Sequence, residues 1–405
     1  MPKQKRTKKL DSSLEFGDIF EGLQAVLRRF LRDEAIGGKL LVAGALIALV
    51  IFNSPWQAAY AHFWEVPVRI GFGDFGLQLD IRHWINEGLM TIFFLVVGFE
   101  IKKEIVYGAL KHPKVAILPV GAAIGGMLVP ALVYMAFNTG RDTFSGWGIP
   151  VATDIAFAVA VLSLLGRRVP AIVKLLLLTL AIVDDLGAIL VIALFYAHDT
   201  HPLLLAGAGA LIIAIALGRH RIGKSMLAFL GAGVALWLLL HLGGVHASIA
   251  GAVLGLLAPV RRGHGLTAQL EHVALPLSTL IVMPLFALAN AGTPISTSIL
   301  QENVAVFLGI VTGLVVGKAG GIVLASWLLV RVGAAKLPHG LRWQHITGMG
   351  FLAGIGFTVS IFIAGLAFTV PAYENAAKLS ILTGSVASAL IGTAVLLRVP
   401  RRTLP

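Results

Sequence analysis

The chain reads as an all-α polytopic membrane protein with about twelve transmembrane helices. Three observations predict this. Of 405 residues, 57% are hydrophobic and 13% charged, against roughly 45–50% and 25% in an ordinary soluble domain. The apolar residues fall in runs close to the ~20 residues that cross a bilayer. The basic residues sit between the runs. A soluble globule cannot hide this much apolar surface beneath so few polar groups. A soluble enzyme, a disordered chain and a nucleic-acid module are therefore excluded. The net charge of +12 would point to nucleic acid in a soluble protein. Here it reads as a set of topology signals, and no nucleic acid is expected as a partner. The chain has no cysteine, so disulfides, thiolate chemistry and Cys-ligated metals are out.

The elements follow in order. Met1 to Leu10 carry five basic residues and no acid. No apolar core with a small-residue cleavage site follows directly, so this is read as a basic tail and not a cleaved signal peptide. Ile19, Phe20, Leu23, Val26, Leu27, Phe30 and Leu31 recur at helical spacing opposite Arg28, Arg29 and Arg32. They predict a helix lying on the membrane surface. Residues 1–35 thus form a tail and an interfacial helix, 36–397 the transmembrane domain, and 398–405 a second cytoplasmic tail. Spans are placed at 38–53, 83–107, 116–137, 148–165, 170–197, 203–218, 223–240, 244–260, 272–291, 304–330, 344–368 and 376–397.

The positive-inside rule supports that count. With the N-terminus in the cytoplasm, 27 of the 32 Lys and Arg residues fall inside. Arg69, Arg82, Arg141 and Lys378 fall outside, and Lys318 falls in mid-membrane. Both termini are then cytoplasmic. One outer loop, Val66 to Ile81, alternates around a Gly73–Asp74 turn, which is a β-hairpin signal. Its exposed edge favours pairing with a second copy, so a homodimer is expected there.

Charges at bilayer depth are costly and mark function by default. Asp154 lies mid-span in GIPVATDIAFA, Asp184 and Asp185 in LAIVDDLGAIL, and Lys318 in LVVGKAGGI. Adjacent helical residues project ~100° apart, so Asp184 and Asp185 cannot face one point. One can meet Asp154 while the other meets Lys318. Neighbouring carboxylates in low dielectric titrate as a unit. Their oxygens, with the Thr153 hydroxyl, also suit a hard cation. One site cannot hold proton and cation equally well, and that competition couples two opposed fluxes. Pro150 and the glycines 348, 350, 354 and 356 point to two interrupted helices, whose bare ends need compensating charge.

Together the motifs ATDIAFA, AIVDDLGAI and GIGFTVSIFIA, with HWINEGLM, GFEIKKE, GVHASIAG and LEHV, resemble the bacterial sodium/proton antiporters of the NhaA family. The similarity runs from about residue 36 to about 397. It implies an inverted-repeat fold with two broken helices at the midplane. It implies Asp185 as the principal ion- and proton-binding carboxylate, with Asp184 beside it as a second Na⁺ ligand that pairs with Lys318. Asp154 and Thr153 would lie on the first broken helix. Glu87, where the common pattern has Asp, would belong to a cation funnel. Glu100, Lys103, Glu104, Glu271 and His272 would form a cytoplasmic cluster tied to alkaline activation, and His246 would respond to pH. The chain departs from the pattern at Ala268, Gln269 and Leu275, which depletes that cluster of basic residues.

The reading is an electrogenic, pH-regulated secondary transporter of the bacterial inner membrane. It would exchange internal Na⁺, or Li⁺, for external H⁺ without a cofactor. It is not an enzyme. An intramembrane aspartyl protease is the alternative enzyme, but its Gly-x-Gly-Asp motif occurs only at Gly71–Asp74, away from the buried acids. A passive cation channel would need a polar pathway, and this chain has one concentrated charge cluster.

Overall fold

A computed structural model describes residues 34–72, 75–197, 199–222, 225–259, 265–338 and 340–399. The expected interfacial helix at residues 19–31 lies outside them. So do the hairpin tip at 73–74 and the terminal residues 400–405.

The chain opens with α1 (Glu34–Phe52) and a short α2 (Gln57–Trp64). The hairpin β1 (Pro67–Phe72) and β2 (Phe75–Asp80) follows, antiparallel, with Arg69 opposite Gln78 and Phe72 opposite Phe75. It matches the alternation in the sequence. Asp80 caps the next turn by accepting from the His83 backbone N at 2.7 Å. A π-helical stretch, Trp84–Leu89, then runs into α3 (Met90–Tyr107). Next come α4 (Pro113–Asn138), a 3₁₀ segment (Asp142–Val151), α5 (Ile155–Leu164), α6 (Ala171–Phe195), α7 (Pro202–Ile222), α8 (Met226–Leu242) and α9 (Ile249–Leu257). The chain continues through α10 (Leu266–Leu277), a π stretch (Ser278–Val282) and α11 (Met283–Asn290). After α12 (Thr297–Glu302), α13 (Val304–Thr312) passes through a π stretch (Gly313–Gly317) into α14 (Lys318–Arg331). The last helices are α15 (Trp343–Ala353), α16 (Phe357–Ala367) and α17 (Pro371–Leu397).

Among the described residues, six helical stretches are long and apolar enough to cross a bilayer. They are 113–138, 172–195, 202–219, 267–290, 304–331 and 371–397. Two bent pairs raise the number to as many as eight. The other expected spans map to helices that are shorter or carry charge. Ile36–Phe52 and Met226–Leu242 are apolar but fall under 18 residues. α3 ends in Glu100, Lys102, Lys103 and Glu104. The expected span at 244–260 contracts to the nine residues of α9, preceded by a turn that includes Gly244 at φ 80°.

Apolar side chains alone drive little association between helices in lipid, so close backbone packing carries much of the contact. α14 lies along α4, where Gly321 and Gly125 face each other. A Cβ on Gly321 would meet the Gly125 carbonyl carbon at 2.8 Å and the Val129 Cβ at 2.9 Å. α3 meets α9 in the same way. A Cβ on Gly255 would sit 2.6 Å from the Leu95 carbonyl oxygen and 2.8 Å from the Gly98 Cα. The α4–α14 contact fixes the helix that carries Lys318, so a change there reaches the site.

Neighbouring glycines test this packing. A Cβ on Gly320 meets nothing within 4 Å. Gly321→Ala should lower stability by ~1–3 kcal/mol through overpacking. Gly320→Ala should be neutral, or stabilising by up to ~1 kcal/mol through helix propensity. Thermal unfolding of the two purified variants measures the difference, and equal midpoints would remove the close approach as a structural constraint.

Candidate ion and proton site

The site forms where two helical breaks cross. The 3₁₀ segment and α5 are bent by 44° around residues 152–154, and α15 and α16 by 46° around residues 354–356. Pro150 lacks an N–H and its ring blocks a regular helix. Beyond it, Ala152 (φ −78°, ψ 152°) and Asp154 (φ −87°, ψ 99°) are extended. In the second break, Gly354 and Gly356 carry no side chain at the crossing. A Cβ on Gly354 would press on the Leu314 carbonyl. The two breaks touch directly, since the Asp154 backbone N donates to the Ile355 carbonyl at 2.6 Å.

Each break leaves bare N–H groups on one side and bare carbonyls on the other. Asp154, 1% exposed, answers both N-termini. Its Oδ1 accepts from the Phe157 backbone N at 2.9 Å, at the start of α5. Its Oδ2 accepts from the Thr358 backbone N at 3.1 Å and the Thr358 hydroxyl at 2.5 Å, at the start of α16. The carbonyl ends face donors. The Lys318 ammonium donates to the Val151 carbonyl, the Thr153 hydroxyl lies 2.8 Å from the Ala353 carbonyl, and the Ser360 hydroxyl donates to the Ile149 carbonyl at 2.7 Å. Negative charge thus sits at the positive helix ends and positive charge at the negative ends, as the helix dipole requires.

Asp184 and Asp185 divide as adjacent helical residues must. Asp184, fully buried, places Oδ2 at 2.8 Å from the Lys318 ammonium and 2.7 Å from the Thr153 hydroxyl. Lys318 is fully buried too. Asp185 points the other way, into a cavity of about 200 Å³. Asp154, Thr153, Thr358, Glu100 and Lys174 line the same cavity, with Ser278 and Thr279 from the π stretch after α10. Asp185 therefore shares its space with oxygen donors of hard-cation character, and Asp184 does not.

The remaining candidates disperse. Glu100 lines the Asp185 cavity, one helical turn before Lys103 and Glu104 on α3. Lys103 pairs with Glu271 and joins α3 to α10. Glu104 accepts from the Ala109 backbone N at 2.7 Å and closes the end of α3. His272 is exposed. His246 is half-buried, its ring 6.4 Å from that of Phe362. Glu87 meets His241 at 2.5 Å. Among the described residues, no three His, Asp or Glu side chains converge as a metal cluster would. The sequence reading missed Thr358, although it stands in the GIGFTVSIFIA motif. A hydroxyl just past a Gly-broken helix is the signal that could have found it.

Fold and site together define a multi-pass membrane protein with a charge-balanced crossing of broken helices beside a carboxylate-lined cavity. The comparisons agree. Residues 28–396 match the family model described as Na⁺/H⁺ antiporter 1. The Na⁺/H⁺ antiporter NhaA 1 of Clostridium beijerinckii is 44% identical, over 91% of this chain and 94% of that protein. The Na⁺/H⁺ antiporter NhaA of Proteus mirabilis is 45% identical, over 91% and 96%. The solved sodium/proton antiporter MjNhaP1 of Methanocaldococcus jannaschii shares the fold at a TM-score of 0.53 and 14% identity, covering 94% of this chain and 99% of that one. The chain belongs to the Na⁺/H⁺ antiporter 1 family, whose relatives here are transporters and not enzymes.

The Lys318–Asp184 pair yields a stability test. Lys318→Ala leaves a buried carboxylate without its counter-ion, a loss of ~3–5 kcal/mol. Asp184→Asn added to it removes the stranded charge and should restore part of that loss. Thermal unfolding of both single variants, the double variant and the parent gives the coupling. Strictly additive losses would dissolve the pair.

Proposed function

We propose that this chain exchanges internal Na⁺ for external H⁺, and accepts Li⁺ at the same site. The observation that carries the reading is the split between neighbours: Asp185 faces the cavity while Asp184 faces Lys318. Asp185 is the carboxylate that trades cation for proton. Asp154, Thr153 and Thr358 supply further oxygens. Asp184, outside the cavity lining, sets the charge balance beside it through its pair with Lys318. Ion and proton compete for the same oxygens, and conformational change exposes them to each side in turn. The exchange is electrogenic, so each cycle moves net charge across the membrane. The setting is the bacterial inner membrane, with both termini cytoplasmic. Control by pH rests on Lys103, Glu271 and His272, with His246 a second responder. No cofactor takes part.

The hairpin serves a different purpose. A lone two-stranded hairpin is marginal in water. Ile70 on β1 is 58% exposed. We place the contact of a homodimer on the free edges of Val66–Ile81.

Two experiments follow. Asp185→Asn keeps the size of the side chain and removes its titration. The purified variant should insert normally, and Na⁺-driven proton movement in proteoliposomes should fall to background. Robust exchange by this variant would move the ion to another residue. Deleting 71–76 should convert dimers to monomers in detergent while each protomer still transports. Dimers that survive the deletion would place the contact elsewhere, and monomers that fold but do not transport would show that one chain does not hold the whole site.

A further inference from the structure

A second titratable pair stands apart from the site, at the end of the molecule that carries the hairpin. Glu87 lies on the π stretch ahead of α3, 13 positions before Glu100, which is about 20 Å of helix. Its Oε2 is 2.5 Å from His241 Nδ1 on the last turn of α8, with the two side chains 16% and 18% exposed. The geometry around this bond is held from both sides. His241 stacks on Trp237, ring centroids 5.2 Å apart at 5°. Trp237 stacks in turn on Trp84, at 6.2 Å and 6°. The Trp237 indole N–H donates to the Glu87 carbonyl at 3.0 Å. The Trp84 indole N–H donates to the Val68 carbonyl of β1 at 2.9 Å. Hairpin, π stretch and α8 are thus locked around one imidazole–carboxylate contact.

We propose that His241 and Glu87 form a proton-responsive pair that sets how strongly the hairpin face attracts a cation. The chemistry follows from the tautomer. With a carboxylate on Nδ1, the neutral imidazole keeps its hydrogen there, and the pair carries one net negative charge. A second proton then goes to Nε2 and the pair becomes neutral. The bond to Glu87 and the ring stack survive both states, so proton uptake changes the charge and not the shape. An imidazole makes this change near neutral pH. When negative, the pair raises the local concentration of cations at that face; when neutral, it does not. His241 is a positioning residue for Glu87.

Other ionisable groups stand on the elements around the pair. Asp80 and His83, ahead of the π stretch, are bonded to each other at 2.8 Å. Arg82 lies between them in sequence. His201, before α7, donates its backbone N to the Gly243 carbonyl, and its side chain is exposed. His246 follows the turn after α8 and lies by Phe362. Neither α9 nor α11 carries an ionisable residue. The basic end of α7, from Arg219, is 17 positions beyond Pro202, about 25 Å away along the helix.

The effect on transport rests on the antiport reading, so two readouts are needed. The first is independent of it. Imidazolium stacked on indole quenches its fluorescence. The full-length protein titrated from pH 5 to 9 should show a Trp fluorescence transition that disappears in His241→Gln and in Trp237→Phe. The second is the Na⁺ concentration that half-saturates exchange when Na⁺ is added at the hairpin face. One unit charge within ~4–5 Å of a hydrated ion changes its local occupancy about fivefold. His241→Gln keeps a donor but cannot charge. It should match the parent at pH 8.5 and need about fivefold less Na⁺ than the parent at pH 5.5. A fluorescence profile unchanged by His241→Gln, or a shift in half-saturation that is equal at both pH values or zero, overturns the proposal. If the unaltered protein moves no protons with Na⁺ at any pH, the antiport reading falls instead, and the fluorescence titration still decides whether the pair titrates.

Discussion

Backbone polar groups inside a membrane have no water to turn to, and each one left bare costs several kcal/mol. Two broken helices crossing in one protein concentrate that cost at a single point. The rest of the structure is arranged around meeting it. Asp154 accepts from the starts of both following helices. Lys318, Thr153 and Ser360 face the carbonyls of the preceding ones. Lys318 reaches the Val151 carbonyl only because α14 lies close along α4, and that approach depends on Gly321 and Gly125 lacking side chains. Backbone packing one turn from Lys318 therefore bears on the electrostatics of the site.

The same constraint explains why neighbouring carboxylates do different work. A helix separates adjacent side chains by ~100°, so α6 presents Asp184 to the crossing and Asp185 to the cavity. The pair of Asp184 with Lys318 neutralises charge in the dry interior. Asp185 is left with oxygens and an opening. A charge gained or lost at Asp185 would be felt by the whole cluster, since its members are buried.

Much of this was legible in the sequence. Mid-span Asp154, Asp184, Asp185 and Lys318 stood out because ionisable residues there are rare. The angle between Asp184 and Asp185 followed from helical geometry alone. The hairpin followed from period-two alternation. What the sequence hides is contact between distant positions. Glu87 and His241 are 154 residues apart, and nothing in either segment announces the other. Glu100 reads as part of a charged patch in GFEIKKE, and nothing in that patch shows that it also lines the Asp185 cavity. Lys378 reads as an outer topology signal, yet it is 4% exposed and pairs with Glu374 at 2.6 Å. Spans resisted counting for a related reason. Hydropathy shows that a stretch is apolar, but not that a turn at Gly244 precedes α9.

A buried ion pair is weak evidence for stability, because its desolvation offsets most of its attraction, and apolar replacements of similar volume are often as stable. Lys318 and Asp184 are both fully buried, so stability alone does not account for their presence. Helix breaks give a better account. An apolar pair would leave the Val151 carbonyl without the Lys318 ammonium, so the breaks demand polar groups whatever the function. In turn the breaks exist because a continuous helix has no bare backbone to spare and would hold its side chains in one fixed array. Interrupted helices place several oxygens and an ammonium at one depth, where a change of one proton alters the balance of all of them. The cost of burying charge and the capacity to exchange it are two consequences of the same crossing.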